Sequence, residues 1–231
     1  MEINSYSTWL EIDLNAITEN VAYIKRMTGV EVMAVIKANG YGHGARPAAQ
    51  AAVQGGATWC GVARIEEALA LRRAGISAEL MVLGYTPPSK IPEAIDQQIV
   101  VSLFDPSQAE TCLNYARING GRLRAHVKVE TGMGRLGMLP EEVIPFLRAL
   151  QGSAIQVEGI FTHFARADEP ESGYTQRQIE IFDQLLTELE QEGLKPPMVH
   201  AANSAAVFNF PQAWYNMVRP GNAIFGMSPS P

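Results

Sequence analysis

The stretch Val35-Ile36-Lys37-Ala38-Asn39-Gly40-Tyr41-Gly42-His43-Gly44 puts a lysine where an apolar strand runs into a glycine-rich turn. A lysine there has its carbon stem among apolar neighbours and its amine at the mouth of a site. Desolvation then disfavours the ammonium and favours the free amine that Schiff-base chemistry needs. Gly40, Gly42 and Gly44 let the chain turn sharply or come close to a ligand, and Tyr41 adds a hydroxyl within the same turn. The same residues also describe a solvated charge at a strand end, and the rest of the chain decides between the two.

Outward from Lys37, short β-rich runs alternate with segments of helical period. The strands are expected at Glu31 to Lys37, Trp59 to Ala63, Glu79 to Leu83, Ile99 to Leu103, Leu123 to Glu130, Ile155 to Thr162, Met198 to Ala201 and Tyr215 to Arg219. The clearest helix is Tyr174 to Glu192, with Phe182, Leu185, Leu186 and Leu189 on one stripe and Gly193 as its stop; Ile65 to Ala74 is another, ended by Gly75. Most of the strands read as near-continuous apolar runs, as in a parallel sheet covered on both faces. Eight β/α units in 231 residues predict an α/β fold, a (β/α)8 TIM-type barrel; an open doubly wound sheet is the other arrangement. The dinucleotide fingerprint is missing, because Gly40 to Gly44 is too closely spaced to match it. Ahead of the barrel, Ser7 to Leu14 alternates like a half-buried strand, followed by a helical stripe of Ile17, Val21, Ile24 and Met27. This extra N-terminal strand has no slot in the barrel and is expected to pair with another domain or subunit. The expected organisation is an arm over residues 1–14, a barrel over 15–227, and a Ser-Pro linker over 228–231 that leads toward a further domain.

Composition narrows the class. A hydrophobic content of 47% with 18% charge is ordinary for a soluble globular protein. No apolar run reaches the roughly 18 residues of a membrane span, and Met1 to Asn20 has no basic start or apolar signal core. The net charge of -6 argues against nucleic acid as a partner. Cys60 and Cys112 read as buried thiols, which suits a reducing, cytoplasmic setting.

In the barrel register Lys37, Arg135, His163, Asn203, Ser204, Arg219 and Gly221 all fall at the C-terminal rim, where barrel enzymes place their chemistry. The fifth strand, Arg122 to Glu130, alternates charged or polar with apolar residues, so Arg124, His126 and Lys128 point into the barrel and are either paired or part of the site. Ser204 opens a short helix and Arg219-Pro220-Gly221-Asn222 leaves strand eight, the region where barrels recurrently bind phosphate. The alternative for Ser204 is a simple helix cap. A phosphate cradle together with a strand-end lysine describes a site for pyridoxal 5'-phosphate, the lysine holding the aldehyde and the cradle the phosphate.

The motifs Ala34 to Gly44, Lys128 to Gly137 (Lys-Val-Glu-Thr-Gly-Met-Gly-Arg-Leu-Gly), Gly159 to Ala165, His200 to Ala205 and Arg219-Pro220-Gly221 occur in order. Together with the arm Trp9 to Leu14, they make the whole chain resemble the N-terminal barrel domain of bacterial alanine racemases, which interconvert L- and D-alanine for peptidoglycan. The resemblance implies that Lys37 is the Schiff-base lysine and one of two acid/base groups. It also implies that Tyr41, Ser204 and the Gly221–Asn222 backbone hold the phosphate, that Asn203 belongs to the cofactor site, that His163 lies beside the ring and that Arg219 faces the pyridine nitrogen. Arg135 would orient the substrate carboxylate or the catalytic tyrosine network. In some relatives the lysine matching Lys128 is carbamylated. Family members act as homodimers and continue into a β-rich C-terminal domain that supplies a catalytic tyrosine to the partner subunit, so this chain alone is expected to have little or no racemase activity. Asn222 and Phe225 differ from the more usual aliphatic residue and tyrosine at those places. Two other readings exist: a single-domain pyridoxal-phosphate-binding protein of vitamin B6 homeostasis without catalysis, and a barrel enzyme using its rim for a phosphorylated substrate without the cofactor.

Overall fold

In the computed structural model, which describes residues 7–228, eight parallel strands close into a barrel in sequence order. The strands are β1 (Glu31–Val35), β2 (Trp59–Val62), β3 (Glu79–Val82), β4 (Ile99–Leu103), β5 (Leu123–Lys128), β6 (Ile155–Phe161), β7 (Met198–His200) and β8 (Met217–Val218). Closure comes from β8 pairing with β1, Glu31 opposite Met217 and Val32 opposite Val218. The helices are α1 (Leu14–Thr28), α2 (Ala45–Gln54), α3 (Ile65–Arg73), α4 (Ile91–Asp96), α5 (Pro106–Ile118), α6 (Pro140–Leu150), α7 (Tyr174–Gln191) and α8 (Ser204–Asn209). The open doubly wound alternative is thereby excluded.

The expected strand ends run one or two residues too far in most cases, because apolar runs continue past the last ladder bond into the rim. Strand eight is cut at both ends. Tyr215 leaves the extended region at φ 47°, and Pro220 has no amide to continue pairing. The arm forms no strand among the described residues: a strand exists by pairing, and a closed barrel has no free edge. Residues 7–13 instead leave Trp9 and Leu10 exposed, at 55% and 88%. Asp13 then starts α1, its carboxylate accepting from the amides of Asn15 (2.9 Å) and Ala16 (3.2 Å). The expected stripe holds, with Ile17, Val21 and Ile24 buried and Met27 packed at the core's edge.

Two apolar layers form. One lies between strands and helices; a smaller one, Met33, Trp59, Met81, Val100, Phe161 and Met217, forms a separate buried cluster in which the strands contribute alternate residues. The polar face of β5 enters this second layer. Arg124 makes a two-pronged ion pair with Glu158 (Nε to Oε1 2.9 Å, Nη2 to Oε2 2.9 Å) and reaches Glu79 through Nη1 at 2.7 Å. This answers half of the question raised by the alternation: Arg124 is structural. The next inward residue, His126, needs room, and the chain provides it by a slip in register. Ala125 pairs with Val157 but His126 pairs with Gly159, so Glu158 is bulged out toward Arg124. A Cβ on Gly159 would stand 2.6 Å from the His126 ring.

Gly159→Ala is therefore expected to overpack a site with no slack, at a cost of about 1–3 kcal/mol. A thermal melt should fall by several degrees, since about 2–4 °C is lost per kcal/mol at this chain size. An unchanged melting temperature would show that the His126 ring can move aside.

Candidate active site

Lys37 lies two residues beyond β1, at the start of a turn that is left-handed throughout: φ is 52° at Ala38, 55° at Asn39, 63° at Gly40 and 52° at Tyr41. Each non-glycine residue held there costs about 1–2 kcal/mol, so the turn needs external support. Glu67 of α3 supplies much of it, one carboxylate oxygen accepting from Ala38 N (2.7 Å) and the other from Ala63 N (2.8 Å) and Arg64 N (3.1 Å). Asn39 adds a bond from Ala45 N to its side-chain oxygen at 2.9 Å. The turn brings the Lys37 amine to 5.7 Å from the Tyr41 ring centre and sets the Tyr41 ring beside Phe225, centres 5.3 Å apart.

A cavity of about 600 Å³ opens at this rim, and every site residue expected from the sequence lines it. On one side are Tyr41, Asn203, Ser204, Gly221 and Asn222. Ser204 Oγ accepts from the amides of Gly221 (2.9 Å) and Ala223 (3.2 Å), which uses its lone pairs and leaves its proton to donate. Asn203, not Ser204, caps α8, its oxygen accepting from Ala206 N at 3.0 Å while its amide donates to Phe164 O at 3.3 Å. The Asn203 side chain is thus committed to backbone. A Cβ at Gly221 would stand 2.6 Å from the Tyr41 hydroxyl oxygen, so any larger residue there would displace the Tyr41 ring. Burial raises the Tyr41 pKa and keeps that hydroxyl a neutral donor.

Lys37, Lys128, Arg135 and Arg219 bring basic side chains to the same cavity, with His163 among them. Arg219 is buried, and its donors go to neutral acceptors: Nη1 to His200 Nδ1 (2.7 Å), Nη2 to Thr162 O (2.7 Å) and Ala201 O (2.9 Å). Desolvation pulls its pKa down to about 9. Since arginine only donates, His200 accepts at Nδ1, carries its proton on Nε2 and gives it to His126 Nδ1 at 2.8 Å. The remaining His126 Nε2 is buried with no hydrogen-bond partner. Burial, with Arg124 and Arg219 nearby, pushes His126 down to about 3, so the second interior residue of β5 is a neutral link in this chain. His200 and His163 are also driven well below their usual value, by burial first and Arg219 next. Lys128 is 3% exposed and is lowered to about 8 by burial and by Arg135 and Arg219.

Phe161 was read only as an apolar strand residue, yet it organises the cationic side. It stacks on His200 (4.8 Å between centres, 6° between planes), with Arg219 and Lys128 at 5.4 and 5.8 Å from its ring centre. The clue was parity, since Phe161 and His163 are two apart on one strand end. Asp168 also lines the cavity. It lies in a loop that the motifs do not reach, and nothing in the sequence marked it.

A parallel (β/α)8 barrel with a lysine on a strained rim turn, hydroxyls of Tyr41 after β1 and Ser204 after β7, and several basic side chains around one cavity defines a barrel protein with a rim suited to an anionic ligand. Residues 12–229 match the family described as "Alanine racemase, N-terminal domain". The alanine racemase of Symbiobacterium thermophilum is 46% identical over 226 residues, 97% of this chain and 60% of the relative. That of Desulforamulus reducens is 43% identical over 228 residues, 96% of this chain and 61% of the relative. The crystal structure of alanine racemase from D-cycloserine-producing Streptomyces lavendulae superposes with a TM-score of 0.90 at 39% identity, covering 95% of this chain and 59% of that one. The chain belongs to the alanine racemase family and comprises its N-terminal barrel domain, about 60% of the length of the curated relatives it matches.

The lowered Lys128 has a consequence for stability. Between pH 8 and its ordinary value of 10.5 the unfolded chain carries a proton on Lys128 that the folded chain does not. Stability contributed by this group therefore rises as pH increases through that window. In urea melts, wild type should gain stability from pH 8 to 10.5 relative to Lys128→Met; parallel curves would refute the lowered amine.

Proposed function

We propose that this chain is the pyridoxal-phosphate-binding barrel of an alanine racemase, with Lys37 as the cofactor lysine and alanine as substrate. The observation that carries the reading is one cavity that joins the Lys37 amine to a cradle of Tyr41, Ser204 and the Gly221 turn. The donor set fits the group. The hydroxyls of Tyr41 and Ser204 both lie against Gly221, where a Cβ would meet the Tyr41 oxygen at 2.6 Å, and the surrounding basic side chains suit both a phosphate and a carboxylate. When bound, the cofactor supplies an aldehyde for the amine and a conjugated ring that acidifies the substrate's α-hydrogen. Tyr41 and Ser204 bind the phosphate, Arg219 donates to the ring nitrogen without protonating it, and Arg135 meets the substrate carboxylate. Lys37 Nζ would take the α-proton from one face of the substrate and, in the reverse direction, deliver a proton to that same face. His163, held neutral beside Arg219, packs against the cofactor ring.

Racemisation needs a second base on the other face of the substrate. The relatives are longer than this chain, and the resemblance to the racemase family implies that the second base comes from their further domain, so we assign it to that domain of a second copy in a homodimer. The exposed arm supports the same arrangement, since Trp9 and Leu10 present apolar surface that the barrel does not cover. The lowered Lys128 amine supports carbamylation at that position, because carbon dioxide adds to the neutral amine.

Adding pyridoxal phosphate is expected to give a near-visible absorbance band that borohydride traps covalently on Lys37, and Lys37→Ala should abolish it. No trapped adduct with wild type would sink the cofactor assignment. In a coupled assay for D-alanine, the chain alone should turn over at least about 10²–10⁴-fold more slowly than a full-length relative, the usual contribution of one positioned acid/base group. Comparable rates would place the second base within these residues.

A further inference from the structure

The loop between β5 and α6 carries Arg135, and its shape has an unusual source. Four consecutive backbone amides converge on a single carboxylate: Glu130 Oε1 accepts from Gly132 N (2.5 Å) and Met133 N (2.5 Å), and Glu130 Oε2 accepts from Gly134 N (2.8 Å) and Arg135 N (3.2 Å). Successive amides turned to one side form a concavity for an anion, and here the chain's own side chain fills it. The fold around the carboxylate is tight. Glu130 N donates to Met138 O at 2.8 Å and Met138 N to Lys128 O at 2.9 Å, which brings the two ends of the loop together. A Cβ on Gly137 would stand 2.5 Å from Glu130 N, so the chain crosses itself at van der Waals distance there.

From outside, α7 clamps the same loop. Tyr174 OH donates to Gly132 O at 2.6 Å, and the buried Gln178 amide donates both to Thr131 Oγ1 and to His163 O, each at 3.1 Å. Arg135 itself is exposed, and its amide is one of the four that donate to Glu130. The Glu130 carboxylate is the group that gathers the amides of residues 132 to 135, while α7 holds Thr131 and Gly132.

We propose that Glu130 is a positioning residue: its carboxylate is the internal anion around which the loop is wound, and it thereby sets where Arg135 meets the substrate carboxylate. The inference rests on the proposed reading of Arg135. Removing the carboxylate exposes amides that water can satisfy, so global stability changes little while local order is lost. In Glu130→Gln only the amide oxygen can accept; the side-chain NH₂ group faces the other amides donor to donor.

The test has two independent arms on the intact chain. First, amide hydrogen exchange of Gly132 to Arg135 should be at least about tenfold faster in Glu130→Gln than in wild type, a loss of about 1.4 kcal/mol of local protection, with core amides unchanged. Equal exchange in the two proteins overturns the proposal whatever the cofactor does. Second, in pyridoxal-phosphate-loaded protein, the affinity for acetate, a carboxylate without an amine, should fall at least tenfold in Glu130→Gln while covalent capture by Lys37 stays at the wild-type level. The same substitution in an Arg135→Ala background should cost nothing further. An equal loss in both backgrounds would overturn the positioning role. Failure of wild type to capture cofactor would instead count against the proposed function, and the exchange arm would still decide the role of Glu130 in the loop.

Discussion

The mouth of this barrel concentrates positive charge, and the geometry around it follows from keeping that charge folded. Arg219 is buried among neutral acceptors, with Arg135 and Arg219 close enough to lower Lys128 and with His126, His163 and His200 driven below their usual value. An uncompensated buried guanidinium is costly, and the fold lowers the cost by directing Nη donors to the carbonyls of Thr162 and Ala201 and to His200. That choice propagates downward. His200 must accept, so His126 must accept from His200, so the β5–β6 register must slip to admit the His126 ring, and Glu158 bulges out to meet Arg124. One buried cation at the rim thus dictates hydrogen-bond polarity through most of the barrel's depth.

The barrel was legible because its evidence is periodic. Eight apolar runs separated by helical stripes leave few arrangements, and the rim positions of Lys37, Arg135, His163, Ser204 and Arg219 follow once the strands are counted. Strand ends were less so, since residues such as Ala63 and Leu83 are apolar whether or not they pair. The left-handed turn after Lys37 left only a trace: glycines suggested tight turning, but Ala38, Asn39 and Tyr41 carry side chains that ordinarily avoid positive φ. Its support, Glu67, sits 30 residues downstream on α3 in a place where a helix's first turn favours an acid anyway. The polar face of β5 was visible as a pattern, but its division into a structural Arg124, a neutral His126 and a site residue Lys128 depends on partners from β3, β6 and β7. No single-strand pattern encodes those.

Closure of the barrel also explains how residues far apart in sequence share a task. β7, β8 and β1 are neighbours, so Ser204, Gly221 and Tyr41 meet although the first and last are more than a hundred residues apart. Val35 N donates to Pro220 O at 3.0 Å at that seam. The cradle is built on the final closing contact, which carries the largest loop-closure cost of the fold and forms against the shortest strand. β5 and β6, by contrast, share the longest register and hold the cationic side.

These two halves differ in what a ligand does to them. A group that touches Tyr41, Ser204 and the Gly221 turn bridges β1 to β7 and β8, so its binding energy is returned as stability of the seam. At a ligand concentration of 100 Kd the linkage is worth about 2.7 kcal/mol, comparable to the strain of two left-handed residues at the Lys37 turn. A strained turn and a two-residue strand are tolerable at a closing seam when the ligand that needs them also holds them together. The β5–β6 side has no such support and is stiffened from within, by Glu130 under the Arg135 loop and Gln178 behind it. On the proposed function, one half of the mouth is organised to be completed by its ligand, and the other is organised in advance.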